Sequence, residues 1–319
     1  MKSNKDLYYL YKKYYLDLHS DNQTSSHWEK YGKEIKVSNP ESIKTISDLT
    51  LKGSGFGDYK KINLLNFAVF FVFAPYYLLS IIKTRNFSLL KSYLKTLAKS
   101  GFVPTFDSLK NYRIIAEICK YLELNQLKNV VIIGDGYGFL GNFLKHQFPK
   151  MQIISINLGK VLYFDLVYSL KNFPNGSHKL IRDKSGIENA ELGEHIYISP
   201  ETNIFIEAEN LEKLKNQLPK VDLFLNIASF QEMNLEIIHK YFKFMRSNQN
   251  CFIYLCNRER KVLPDKSVIE FSNYGWVKDD LFLFNEVCSW YKWFPTIRPP
   301  FIHKFDGKMR HALVKLKNE

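Results

Sequence analysis

Along the second two-thirds of the chain, apolar positions switch between two periods. Val130, Val131, Ile132 and Ile133 form an unbroken β-branched run too short for a helix, which predicts a buried strand. Phe139, Leu140, Phe143, Leu144 and Phe148 follow at helical spacing, and Pro149 ends that stretch. Residues 152–156 predict a second buried strand and 158–170 a helix. Residues 204–206, 221–227 and 251–256 predict three more strands, separated by helical patterns over 211–218 and 235–245. Residues 171–195 read as polar and irregular, 282–290 as a helix and 311–316 as a last strand. Strands alternating with helices predict an α/β fold, Rossmann-like and doubly wound, with a mostly parallel seven-stranded sheet.

The first third has a different pattern. Residues 5–18 alternate tyrosine with lysine and predict a helix whose aromatic face rests on the main domain. Gly53, Gly55 and Gly57 follow no buried strand and read as a flexible turn. Residues 62–82 run for 21 positions without a charge between Lys60, Lys61, Lys83 and Arg85. Length and flanks match a membrane span, but Asn63, Asn66 and the central Pro75 favour an apolar hairpin that caps the domain, with peripheral membrane contact as a variant. Residues 86–100 predict a basic amphipathic helix, and Asp107 is placed to cap a helix through Ile114, Ile115, Ile118 and Leu122. A boundary near residue 104 divides an N-terminal, mainly helical accessory region (1–104) from the α/β domain (105–319).

The 319 residues suffice for one large domain or two small ones. A net charge of +13 favours acidic partners such as nucleic acid, a membrane surface or phosphorylated substrates. Cys119, Cys251, Cys256 and Cys288 lack C-x-x-C spacing and read as reduced core thiols, which together with the absence of an apolar leader predicts a cytoplasmic protein.

Chemistry is expected outside the carboxyl ends of the strands. Gly134, Gly136 and Gly138, in GDGYGFLG, sit between the first strand and its helix, where backbone can approach a ligand closely. The other strand ends deliver Asn157; Glu207, Glu209 and Asn210; Asn226, Ser229, Gln231 and Glu232; and Asn257, Arg258 and Glu259. A hydroxyl acceptor needs a general base near neutral pKa, for which Glu232, His311 and His303 are the candidates. His303, Asp306 and His311 match no recognised metal spacing, so no metal is expected.

VVIIGDGYGFLG, DLFLNIASFQEMN, IYLCNRERKVLPD and RPPFIHKFDGKMRHALVKL together resemble a bacterial family of sugar O-methyltransferases, over about residues 105–317. The resemblance implies a class I methyltransferase fold, S-adenosylmethionine (SAM) as cofactor and a sugar or glycan acceptor in surface polysaccharide synthesis. Under it, Gly134, Asp135, Gly136, Gly138, Asn157, Glu207 and Asn226 hold the cofactor. Two positions depart from the family: Ile132 and Asn157 stand where it usually carries acidic residues, and Asp135 is expected to replace part of that charge. Asn157 is expected to reach the ribose, and Asn157→Asp to tighten SAM binding. The alternatives are an RNA methyltransferase, motivated by charge but lacking a recognisable RNA-binding module, and a degenerate methyltransferase fold without catalysis serving as a binding or membrane-associated scaffold protein; the cytoplasmic location expected above extends to the inner membrane surface.

Overall fold

The computed structural model describes residues 36–37, 51–52, 59–181, 202–211, 218–295 and 299–318. The expectations for residues 5–18, for the glycines at 53–57 and for most of the helix at 211–218 lie outside these residues.

Among the described residues, three helices precede the sheet: α1 Leu64–Thr84, α2 Phe87–Ser100 and α3 Phe106–Ile118. The hairpin expected over 62–82 is one continuous helix, with Pro75 inside it. Proline deprives the Phe71 carbonyl of its amide donor, but the helix continues through that one missing bond. The asparagines that argued for a break serve its start: Asn63 Oδ1 accepts from Asn66 N at 2.8 Å, and Asn66 Nδ2 donates to Lys61 O. At α3 the cap is Thr105 rather than Asp107, through a reciprocal box in which the Ser108 amide donates to Thr105 Oγ1 and Ser108 Oγ accepts from Thr105 N.

The main sheet is built from β1 Asn129–Ile133, β2 Gln152–Asn157, β3 His178–Ile181, β4 Asn203–Glu207, β5 Leu223–Ile227, β6 Phe252–Arg258, β9 Leu281–Val287 and β12 Met309–Lys315. Between them lie α4 Phe139–Gln147, α5 Gly159–Asn172 and α6 Leu235–Arg246, and two short ribbons pair β7 Arg260–Val262 with β8 Val268–Glu270 and β10 Trp293–Pro295 with β11 Ile302–Lys304. The order across the main sheet is β9-β12-β6-β5-β1-β2-β4-β3. Only β12 runs against the rest. The fold is therefore α/β, Rossmann-like and mostly parallel, with eight strands where seven were expected. Two strands were not marked by the sequence pattern, and the first, β3, is an edge strand inside the stretch that read as irregular. The helix expected over 282–290 is strand β9, whose Phe282 and Phe284 alternate at the sheet edge next to a register shift.

Period-two alternation along β1 feeds two cores. Val130 and Ile132 join the side covered by α2 to α5, and Val131 and Ile133 join the side covered by α6. The first core takes residues from both sides of position 104, from Phe73, Leu89, Tyr93 and Phe102 through to Leu313. In the second, Arg246 and Asp280 form a buried bidentate pair at 2.7 Å, with further bonds to Gly275 O and Lys317 O.

Candidate functional site

The chain leaves β1, crosses to β2 on one side and later to β5 on the other, so the switch point lies at the carboxyl ends of β1 and β5. There the turn after β1 takes left-handed backbone at Gly134, Gly136 and Gly138 (φ 77°, 81° and 62°). Close packing adds to the demand for glycine at two of them. A Cβ on Gly134 would lie 2.4 Å from Ser229 Oγ, and one on Gly138 would lie 2.9 Å from the Asp165 backbone in α5. Tyr137, between the glycines, is buried among the rings of Tyr59, Phe102, Phe164 and Tyr168.

Asp135 faces the start of α4. Its Oδ1 accepts from Leu140 N at 3.0 Å and its Oδ2 from Gly141 N at 2.8 Å. The helix N-terminus expected to attract an anionic ligand group is thus occupied by the chain's own carboxylate. Burial raises the Asp135 pKa, opposed by those two amides and by Lys110. Asn157 ends β2 as expected, with its side chain engaged inward: Oδ1 accepts from Leu158 N and Nδ2 donates to Asp165 Oδ2, each at 3.0 Å. Burial, and after it the charge of Asp135, holds Asp165 well above the usual carboxylate range. A cavity of about 10 Å³ beneath the turn is lined by Asn142, Ser155, Asp165, Ser169 and Asn203 among others, room for about one water.

Asn226, on β5, ties three strand ends together. Its Nδ2 donates to Ile133 O at 3.0 Å, and its Oδ1 accepts from Asn257 Nδ2 at 2.9 Å and from Phe230 N at 3.1 Å. Asn257 Oδ1 accepts from Gln231 N, and Gln231 Oε1 from Arg258 N. Ala228 is held at φ 61° between these groups. Glu207 closes β4 in register with Asn157. Just beyond it, the buried Asn210 Nδ2 has no hydrogen-bond partner among the described residues, which leaves a donor at the carboxyl end of β4.

Glu232 stands beyond β5, 3.5 Å from Lys261 Nζ. Burial pushes its pKa up to about 7, against the pull of Lys261, Lys110 and Arg258. The second base candidate, His311, has other partners than Glu232. His311 Nδ1 lies 3.3 Å from the Tyr254 hydroxyl and Nε2 lies 3.3 Å from Glu286 Oε1, inside an aromatic box of Tyr254, Phe284 and Trp290. Burial lowers the His311 pKa, outweighing the upward pull of Glu286 and Glu117. His303 sits on β11 with its ring 5.8 Å from Phe294, in a patch with Phe305 and Phe106.

One part of the site was missed from sequence. Lys110, on α3, is partly buried, pairs with Asp107 at 2.6 Å, and acts electrostatically on Tyr59, Asp135 and Glu232. It joins the glycine turn to the Glu232 end of the crevice. A lysine among Leu109, Ile114 and Ile115 is the signal that could have flagged it.

No family model and no curated protein matches the chain. Solved structures give low-level likenesses. TehB from Haemophilus influenzae is 12% identical with a TM-score of 0.40, over 64% of this chain and 62% of that one. Magnesium protoporphyrin IX methyltransferase from Synechocystis PCC 6803 with bound SAM is 10% identical with a TM-score of 0.40, over 65% and 77%. TrmN from Thermus thermophilus is 10% identical with a TM-score of 0.39, over 70% and 52%. The chain thus spans less than two-thirds of TehB and of TrmN, and the assignment of the fold stands on its own strand order, with the single antiparallel strand β12 between β6 and β9.

Proposed function

We propose that this chain is a SAM-dependent O-methyltransferase acting on a sugar hydroxyl of a glycan or glycan precursor. The observation that carries the methyltransferase reading is the left-handed glycine turn at the switch point of the sheet. Asn210 Nδ2, which has no partner among the described residues, supports a cofactor fit, because it is a buried donor suited to an adenine or ribose acceptor. Gly134 and Gly136 would offer backbone to the cofactor, and Glu207 and Asn210 would hold its nucleoside end. SAM supplies an electrophilic methyl group on a sulfonium. Glu232, ionised above about pH 7, takes the proton from the acceptor hydroxyl, with Lys261 and Lys110 holding its charge. The sugar acceptor rests on the resemblance of ASFQEM and of the C-terminal RPPFIHKFDGKMRH segment.

A second reading, a methyltransferase fold without catalysis, is favoured by the inward engagement of Asp135 and Asn157. Calorimetry with SAM and S-adenosylhomocysteine (SAH) decides between them. The enzyme reading expects binding that Gly136→Val abolishes in a folded protein. Wild-type protein that binds neither compound is the scaffold.

A further inference from the structure

Helix α1 is apolar nearly all round, yet only 12% of its most apolar window is buried. Its inner stripe packs on the domain through Phe73 and Tyr77, with the Tyr76 hydroxyl reaching Trp293 O and Arg113 stacked over the Tyr76 ring. The outer face carries Leu64, Leu65, Phe71, Val72, Leu79 and Ile82, of which Leu64 is 90% exposed. A soluble helix of this composition is normally buried, and exposed apolar patches of this kind mark interaction surfaces.

Charge around the helix selects the partner. From Tyr59 to Phe106 the chain has seven lysines and arginines and no aspartate or glutamate. Lys61 stands before α1, Lys83 lies in its last turn and Arg85 caps it, all three exposed. Helix α2 then exposes Lys91, Lys95 and Lys99 beside Phe87 and Leu94. An apolar face with cations at both ends complements acyl chains bordered by anionic headgroups.

Both ends of α1 are fastened to the same folded domain. At its start, Lys61 pairs with Phe102, Ile62 N donates to Gly101 O and Val103 N donates to Lys60 O. At its end, the Thr84 and Tyr112 hydroxyls share a hydrogen bond, and Tyr112 also donates to Asn86 O. A spanning helix of about 30 Å has its two ends on opposite sides of the hydrocarbon. A helix tied at both ends to one domain lies along the surface, with domain on one side and lipid on the other.

We infer that the outer face of α1 docks in the plane of an anionic phospholipid bilayer, with Lys61, Lys83 and Arg85 engaging the headgroups. This holds independently of the proposed enzymatic activity.

The test is co-sedimentation of the full chain with vesicles of phosphatidylcholine alone or containing phosphatidylglycerol. The wild type is expected to pellet with the anionic vesicles, less so at raised salt and weakly with neutral ones. Lys61→Glu, Lys83→Glu and Arg85→Glu should each weaken binding by about fivefold or more. Leu65→Glu/Phe71→Glu/Leu79→Glu should stay in the supernatant with an unchanged circular dichroism spectrum, because all three side chains are exposed. Wild type that stays in solution with both vesicle types overturns the inference, as does a triple variant that pellets like wild type. A concentration-dependent dimer abolished by the triple variant, without vesicle binding, assigns the face to a second copy of the chain and also overturns it.

Discussion

Asn157 Nδ2 donates to Asp165 Oδ2 at 3.0 Å, binding the end of β2 to the middle of α5 immediately behind the glycine turn. The bond reverses the sequence expectation for Asn157→Asp. An aspartate at 157 loses the donor and sets a second carboxyl beside a buried one. The variant is expected to lose about 2 kcal/mol of stability at neutral pH, and not to bind SAM more tightly. Both carboxyls would have folded pKa values above their unfolded ones, so the loss grows as pH rises through those values and shrinks in acid. Asp165→Asn in the same chain should restore stability. Denaturant titrations at two pH values check this, and a variant as stable as wild type in base contradicts it.

Glu232 should control a pH profile. Its folded pKa of about 7 exceeds the ordinary glutamate value. If it is the base, turnover rises with pH to a plateau above about 7, and Glu232→Gln removes about 10²- to 10⁴-fold in rate while SAH affinity stays. The same raised pKa predicts a stability effect. Stability from Glu232 is full below the unfolded pKa and is lost as pH rises through about 7, so Glu232→Gln should be more stable than wild type at pH 8, by roughly 2 kcal/mol, and equal to it in acid. A variant with normal turnover and a flat stability difference places the base elsewhere.

The Arg246–Asp280 pair should behave as a buried ion pair in which neither partner can be lost. Burial alone would raise Asp280, but Arg246 and the amides of Val277 and Lys317 hold it below its ordinary value. Asp280→Asn leaves the guanidinium buried with only neutral partners, and should cost about 3–5 kcal/mol in a urea melt. A loss below about 1 kcal/mol would show that the pair is open to solvent.

At the turn, Gly138→Ala should unfold the protein more readily than Gly101→Ala. Both glycines have positive φ, but a Cβ at 101 meets open space and one at 138 meets the Asp165 backbone. The strain common to both is about 1–2 kcal/mol, and the excess measured at 138 reports the approach of α5. Equal melting temperatures for the two variants would remove that contact from the account.

The sheet was largely legible because its central strands are short apolar runs: residues 130–133 and 204–206 lie within strands, and 221–227 contains one. The misreadings fall where that signal is weakest. His178–Ile181 is an edge strand with one covered side and needs no apolar run, and Leu281–Val287 carries a register shift that blurs its alternation. The site was legible by position and less so by partner. Spacing placed Asn157, Asn226, Glu207 and Glu232 at strand ends, but said nothing of Asp165, whose partner lies eight residues away through a helix. A lone carboxylate among Leu162, Phe164, Leu166 and Val167 was the available hint. The carboxylate beside His311 is Glu286 rather than Glu232, a pairing fixed by antiparallel register.

Tyr59 links the glycine turn to the segment that carries the apolar helix. Its ring lies 5.0 Å from Tyr137 in the glycine turn and 5.4 Å from Phe102, and Asn111 donates to its hydroxyl, only a few residues before the apolar helix begins. The segment from Tyr59 to Val103 is therefore not an appendage that recombination could exchange at residue 104. A breakpoint there would strip Leu89, Tyr93, Leu97 and Phe102 from the core and uncover the turn. The packing behind the glycine turn and the segment that carries the apolar helix are therefore one piece of core, and neither can be exchanged without repacking the other.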